Sequence, residues 1–378
     1  MFKRIVAIIL IISLLMSIAG CGKVPQENTP DDELTYDELV KLARADGELV
    51  VYSISTRISS AARAFEEKYG IKVRDYSLKD GELISRVATE VGGGIQGADV
   101  VLAQDSGRVQ LELIDTGYLV NYVPLSMENI IEEQDKSPLV CQYINKVFSF
   151  SSETNAIPPI DNAWDLCEKK FKNLVQFKNP LRENVNMNFL TMITSKDWSK
   201  KLEDAYEKNY GKKLVLTDGN KNAGYEWISR FLENATLELS DTIISEQIGD
   251  KNNKNQLVGL FAYTKMRYEE SKNLSMLPMC DVEPFSGFLY PAYVMMTSNA
   301  KHSYASRLFI EYLLTEEGFT PWSKDVGAYS TNPNVAFNKN DYPLEFWKSR
   351  LVVEDPIFLA QNLSDVTEFV DVKIKAKG

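Results

Sequence analysis

The stretch that most restricts what this chain can become runs from Leu49 to Val73, LVVYSISTRISSAARAFEEKYGIKV. Leu49-Val50-Val51-Tyr52 is a short apolar run, dense in β-formers and bounded by Gly47-Glu48, the pattern of a buried strand. Small polar residues follow, Ser53, Ser55 and Thr56, with Arg57 next. From Ser59 the period changes. Ala61, Ala62, Phe65 and Tyr69 recur at steps of three and four, an amphipathic helix that Gly70 stops. Ile71-Lys72-Val73 opens a second strand. Strand, polar turn, helix and strand make one βαβ unit, and its first turn sits at the carboxyl edge of a parallel sheet. There the N–H groups of a helix N-terminus meet hydroxyls, a site for an anion or polar ligand. The same side chains would also serve as helix caps. The residues alone leave both readings open.

A chain of 378 residues has room for two domains, and 44% hydrophobic with 25% charged residues is the composition of a packed core. The formal charge is −11; a chain beginning at Cys21 loses Lys3 and Arg4 and no acid, which takes −11 to −13. Such acidity, with no basic stripe, argues against nucleic acid as a partner.

The N-terminus carries a specific signal. Lys3-Arg4 form a positive n-region, Ile5 to Met16 an apolar h-region, and Ile18-Ala19-Gly20-Cys21 resembles a bacterial lipobox. The resemblance implies a signal peptide over 1–20, cleavage before Cys21, and a lipid (diacylglycerol, with palmitate-type acyl chains) on the Cys21 thiol. The apolar stretch is short for a membrane span. Gly22 to Glu33 is polar and lacks an apolar period, so 21–34 reads as a flexible tether holding a soluble body outside the cytoplasm.

The remaining cysteines, Cys141, Cys167 and Cys280, are an odd, scattered set without a CxxC and read as buried thiols. The only histidine, His302, reads as a surface position at a helix start, so catalysis by histidine is disfavoured. No GxSxG, HExxH or serine–lysine signature is present, and among 53 acids only a glycosidase-like carboxylate pair would offer a hydrolase its chemistry.

Along the chain, Thr35 to Asp46 predicts a helix opened by a capping box of Thr35 with Glu38. A second helix spans Lys79 to Val91 and ends at Gly92-Gly93-Gly94, a strand spans Ala98 to Leu102, and a helix spans Val109 to Thr116. This alternation fits an open parallel sheet. Cys141 to Phe150 reads as a long strand, followed by a polar turn, Ser151 to Asn155, and the pair Pro158-Pro159, a break into something new. Helices are expected at Ala163–Phe171, Asn188–Thr194, Trp198–Asn209 and Gly224–Asn234, an exposed loop at Glu246–Asn255, and strands at Val258–Tyr263 and Leu274–Met279. Phe285 to Met296 is apolar and β-rich, Tyr304 to Leu314 is amphipathic, and the last sixty residues are mixed.

Taken in order, these segments resemble the extracellular solute-binding proteins of bacterial ABC importers, in the two-lobed class that includes ferric-iron, polyamine, thiamine and sugar-phosphate binders. The likeness is carried by the lipobox ending at Cys21, GELVVYS at 47–53, FEEKYGIKV at 65–73, GADVV at 97–101, the strand into Asn155, Trp164-Asp165-Leu166, and ASRLFIEYLLTEEG at 305–318. It implies an α/β, type II periplasmic-binding-protein-like fold, two α/β lobes joined by two crossing strands and closing over a ligand. Residues 35–152 plus 286–378 would form the first lobe and 153–285 the second. The implied role is capture without catalysis, by a monomer without cofactor, and delivery to an ABC permease with its ATPase subunits.

Loops at the carboxyl ends of first-lobe strands would then face the ligand, which nominates Ser53, Ser55, Thr56 and Arg57 with Asp105 and Ser106. Asn155 lies at the crossing, Tyr290 and Tyr293 at the return, and Asn222 and Tyr225 at a second-lobe helix start. Each tyrosine could equally be packing, Asp105 a helix cap, and Arg57 a surface partner of Glu66 or Glu67. A guanidinium beside hydroxyls suits a carboxylate or phosphate, so a small anionic organic solute is the leading expectation. Ferric iron is the alternative, with Tyr263, Tyr290, Tyr293 and Asp105 as oxygen donors, although the adjacent tyrosine pair usual in that class is missing. A lipid-anchored hydrolase is third.

Overall fold

The capping box legible at Thr35 is formed: its hydroxyl accepts from the Glu38 N–H and Glu38 reaches back, opening α1 (Tyr36–Asp46). The computed structural model in which it lies describes residues 34–153, 160–253 and 255–377. β1 (Glu48–Ser53), α2 (Ile58–Tyr69), β2 (Lys72–Ser77), α3 (Asp80–Gly92) and β3 (Val100–Ala103) follow in the expected alternation. β1 lies between β2 and β3, parallel to both. Gly70 ends α2 at φ +73°, a conformation that suits a residue without a Cβ.

The next helix departs from expectation. α4 (Ser106–Arg108) runs straight into a π-helical stretch, Val109–Ile114, in place of a plain helix over 109–116. β4 (Leu119–Val120) and β5 (Val140–Ser151) complete this half. The predicted helix at 163–171 is two 3-10 turns, Ala163–Cys167 and Lys169–Phe171. Then come β6 (Val175–Lys178), α5 (Asn184–Met192), α6 (Lys196–Tyr210), α7 (Ala223–Asn234), β7 (Ala235–Glu238), α8 (Asp241–Gly249), β8 (Val258–Ala262), α9 (Tyr268–Ser271) and β9 (Met276–Pro278). α8 occupies the first residues of the expected loop at 246–255, with Ser240 as its N-cap. β10 (Gly287–Thr297), α10 (Ser303–Leu313), α11 (Glu316–Ser323), β11 (Ala328–Ser330), α12 (Leu344–Lys348), β12 (Val352–Val353) and α13 (Pro356–Lys377) finish the chain.

β5 and β10 are the two crossing strands. They pair antiparallel, Val140–Val147 against Tyr293–Gly287. The far end of β10 pairs with β3, and the far end of β5 pairs with β8, which is followed by β6 and β7. The hydrogen-bonded path is therefore β2-β1-β3-β10-β5-β8-β6-β7, two α/β lobes held by one pair of strands. In the first lobe Phe65 meets Phe309 edge-on at 5.0 Å; in the second Trp227 stacks on Phe231 at 4.4 Å, and Phe189 stacks on Phe288 of the crossing strand β10 at 4.9 Å. α13 packs on α4 and also on α5 and α7, and Phe369 meets Tyr225 edge-on at 4.9 Å.

His302 is not at the surface. It is buried at the start of α10, with Nδ1 2.9 Å from Asp99 Oδ2, and Asp99 also accepts the backbone N–H groups of Val50, Lys301 and His302. Cys141, Cys167 and Cys280 are free, and burial pushes the Cys141 thiol up to about 12. Among the described residues no helix is long and apolar enough to cross a membrane.

Candidate ligand-binding cleft

The turn after β1 is braced by its own serines. Ser53 Oγ is buried, accepts the Ser55 N–H at 3.0 Å and donates to the Ser55 carbonyl at 3.2 Å. Ser55 Oγ accepts from the Arg57 N–H at 3.3 Å and from the Trp322 indole at 3.0 Å. Both hydroxyls thus do local turn work, and Thr56 is left exposed at the tip.

Two recesses meet at this turn. One, of about 290 Å3, is lined by Ser55, Thr56, Arg57 and Gln104 from the first lobe, by Gln142, Ile144 and Tyr290 on the crossing strands, and by Asp241, Lys265 and Arg267 opposite. The other, of about 930 Å3, runs between Thr56, Ser77, Lys79 and Glu82 on one side and Lys178, Arg182, Glu183 and Asn184 on the other. Arg57 does not pair with Glu66 or Glu67. Its guanidinium bonds Asp325 and the Pro321 carbonyl, and Arg267 Nη1 approaches the same Asp325 Oδ2 at 3.1 Å. One carboxylate is shared by two guanidiniums, one from each side of the cleft, which leaves that edge net positive.

Beneath it lies a closed ionic cluster. Lys146 Nζ donates to Glu183 Oε2 at 2.8 Å, Asn186 Oδ1 at 2.8 Å and Asp241 Oδ1 at 3.2 Å. Burial alone would depress the Lys146 pKa, but Asp241 and Glu183 raise it above the ordinary lysine value. Burial works on Asp241 in the opposite sense and is also overruled: Lys146, Lys178 and the Ala262 N–H hold its carboxyl below the usual range.

Of the residues nominated from sequence, Ser55, Thr56, Arg57 and Tyr290 come together in one recess, with Ser53 a layer below. The other described ones, Asp105, Ser106, Asn222, Tyr225 and Tyr293, line neither recess. Asp105 is buried in the left-handed conformation (φ 61°) and accepts from Asn184 Nδ2 at 2.7 Å and Asn188 Nδ2 at 3.3 Å. Burial pushes its carboxyl up to about 6. Ser106 donates to Glu354 and accepts from the Tyr293 hydroxyl at 3.0 Å. Tyr293 is three positions from Tyr290 on β10, and alternation puts an odd spacing on opposite faces. Asn222 caps α7, accepting from the Gly224 and Tyr225 N–H groups, and Tyr225 packs on α13 rather than on a ligand. Asn155 and Cys21 lie outside the described residues.

The four oxygen donors expected for iron do not converge. Tyr290 faces the cleft, Tyr293 and Asp105 are used elsewhere, and Tyr263 sits 5.3 Å from the Trp347 ring beside a separate recess. Among the described residues no three histidine, cysteine or acidic side chains are grouped to hold a metal. Sequence reasoning missed Gln104, Gln142, Asp241, Lys265, Arg267, Trp322 and Asp325. One signal was available for part of this: Gln142 and Lys146 are long polar side chains at even spacing in a strand rich in apolar residues.

No family model matches the sequence, and no curated protein matches it. Among solved structures the chain is similar to iron-bound HitA from Pseudomonas aeruginosa, at 14% identity and TM-score 0.68 over 86% of this chain and 99% of that one. It is similar to the periplasmic binding protein AfuA from Actinobacillus pleuropneumoniae with fructose-6-phosphate bound, at 17% identity and TM-score 0.65 over 87% and 99%. It is also similar to Trichodesmium IdiA (FutA) in complex with iron and citrate, at 17% identity and TM-score 0.60 over 86% and 99%. With lobes, crossing strands and cleft arranged as described, this chain has the type II periplasmic-binding-protein fold.

Proposed function

We propose that this chain is the extracytoplasmic solute-binding subunit of an ABC importer, taking a small anionic organic solute into the cleft and handing it to a permease. In this reading Cys21 carries a lipid anchor, 21–34 is the tether, 35–152 plus 286–378 form the first lobe and 153–285 the second. The chain acts as a monomer and catalyses nothing.

The observation that carries the reading is the placement of Arg57 and of Lys265 with Arg267 on opposite walls of one recess beside the N-terminus of α2. Cations on both walls let an anion bridge the lobes and favour the closed form. The fold it shares with a protein that holds fructose-6-phosphate supports the same class of ligand. Thermal melting against a panel of phosphorylated sugars and carboxylates tests it. A true ligand at a hundred times its Kd stabilises by about 2.7 kcal/mol, and the shift grows with concentration. A flat response across the panel defeats the proposal, and turnover without stabilisation favours a hydrolase.

Ferric iron is a second reading because two of the similar structures hold iron. Only Tyr290 of the candidate donors reaches the cleft, so the metal would arrive as an anionic chelate, as ferric citrate does. Binding of ferric citrate without a tyrosinate-to-iron absorption band would fit that form.

A further inference from the structure

We propose that Gln142 reads the uncharged end of the bound solute, and that this solute is an anion that carries hydroxyl groups. The inference rests on the anion reading of the same cleft. Gln142 shares a face of β5 with Ile144 and Lys146, since alternate residues of a strand point the same way. It lines the 290 Å3 recess with its side chain only 1% exposed, and its Oε1 is buried without a hydrogen-bond partner among the described residues. Native interiors leave few buried amide oxygens unpaired, and those few ask for an explanation. On the same face of β5, Lys146 has a partner for each of its three hydrogens; Asn145, whose side-chain amide is also without a partner among the described residues, is at an odd position and so on the opposite face.

The chemistry of the missing partner follows from the atom. A carbonyl oxygen needs a donor, which ionised phosphate and carboxylate groups lack. A hydroxyl supplies one, and can also accept from the N–H2 of the same amide. Ile144 and Tyr290 face each other across the β5–β10 ladder and both line the recess, giving an apolar floor for a carbon skeleton. The charged end then lies toward Arg57 and Arg267. The volume is at the small end for ligand sites, which suits a hydroxy acid or sugar phosphate better than a peptide or oligosaccharide.

Titration calorimetry on the chain from Cys21 onward, with two matched probe pairs, tests this: fructose-6-phosphate against inorganic phosphate, and malate against succinate. In the native chain the hydroxylated member of at least one pair should bind about tenfold tighter or more. Gln142→Leu should bring that ratio close to one by weakening the hydroxylated probe and leaving its plain counterpart unchanged. Gln142→Asn, with the same groups on a shorter stem, should keep part of the ratio and serves as the folding control. A ratio that survives Gln142→Leu, or equal weakening of both members, overturns the role of Gln142 and leaves the anion reading standing. A native chain that binds no probe overturns the anion reading and this inference with it, and the failure then shows before any substitution.

Discussion

Gln142 and Lys146 stand on one face of β5, about 13 Å apart along the strand, and both are buried to 1% exposure. Their surroundings differ in kind. Lys146 is enclosed by two carboxylates and an amide oxygen, supplied by α5, the residue before it, and α8. It pins the crossing strand to the second lobe. Gln142 faces a recess with an acceptor left over. Burial of a polar group therefore says little about function; whether its partners are complete separates a structural pin from a reader of ligands.

The largest effect expected from testing this contrast is at the pin. Lys146→Met removes the buried cation between Glu183 and Asp241 and should cost about 3–5 kcal/mol in urea unfolding, as breaking a buried pair from one side does. A loss well under 1 kcal/mol would mean that Lys178, which already bonds Glu183, can take over, and the cluster would not be a pin.

Asp105 sharpens the comparison, because it is a buried carboxylate held mainly by neutral amides. Its pKa is pushed from 3.8 to about 6, so the native state holds the proton more tightly than the unfolded chain. The stabilisation is complete below pH 4 and is lost as pH rises through 6, on the order of 2–3 kcal/mol in all. Asn tolerates the left-handed backbone that Asp105 adopts. Asp105→Asn should therefore match the native melting temperature near pH 4 and exceed it above pH 7. Parallel profiles across this range would show that the carboxyl titrates normally.

Much of the fold was legible because period and punctuation are local signals. The apolar run at 49–52, the three- and four-residue steps of 61–69 and Gly70 defined β1, α2 and the stop between α2 and β2 without any tertiary information. α13 was not legible. Its buried Leu359, Val366 and Val370 do share a face, but apolar Ile357 and Val372 lie exposed away from it and blur the contrast between the apolar and polar sides. Ser55, Thr56 and Arg57 were nominated for their place after β1, which topology alone puts at the sheet edge, and they line one recess. Tyr293 was misplaced although its odd spacing from Tyr290 already put it on the other face. Arg267, Trp322 and Asp325 come from loops and helix ends far along the chain, where no short-range pattern points to the cleft.

The open end of the comparison can be broken at its charges. Arg57→Ala should weaken fructose-6-phosphate by about 1–3 kcal/mol through lost charge-assisted bonds. Unchanged affinity would remove Arg57 from the site.

The smallest expected effect runs the other way. Asp325 is 8% exposed and pairs with both Arg57 and Arg267, so its carboxylate holds the position a ligand's anionic group would take between them. If it competes with the ligand, Asp325→Asn keeps the shape, frees both guanidiniums and should tighten phosphate or fructose-6-phosphate by about three- to tenfold, up to about 1.4 kcal/mol. The gain should shrink as salt rises, because the freed charges are partly exposed and screened. If affinity falls instead, the carboxylate is holding the arginines in place for the ligand. That edge of the cleft would then be a satisfied cluster like the one around Lys146, and only the Gln142 end would remain open.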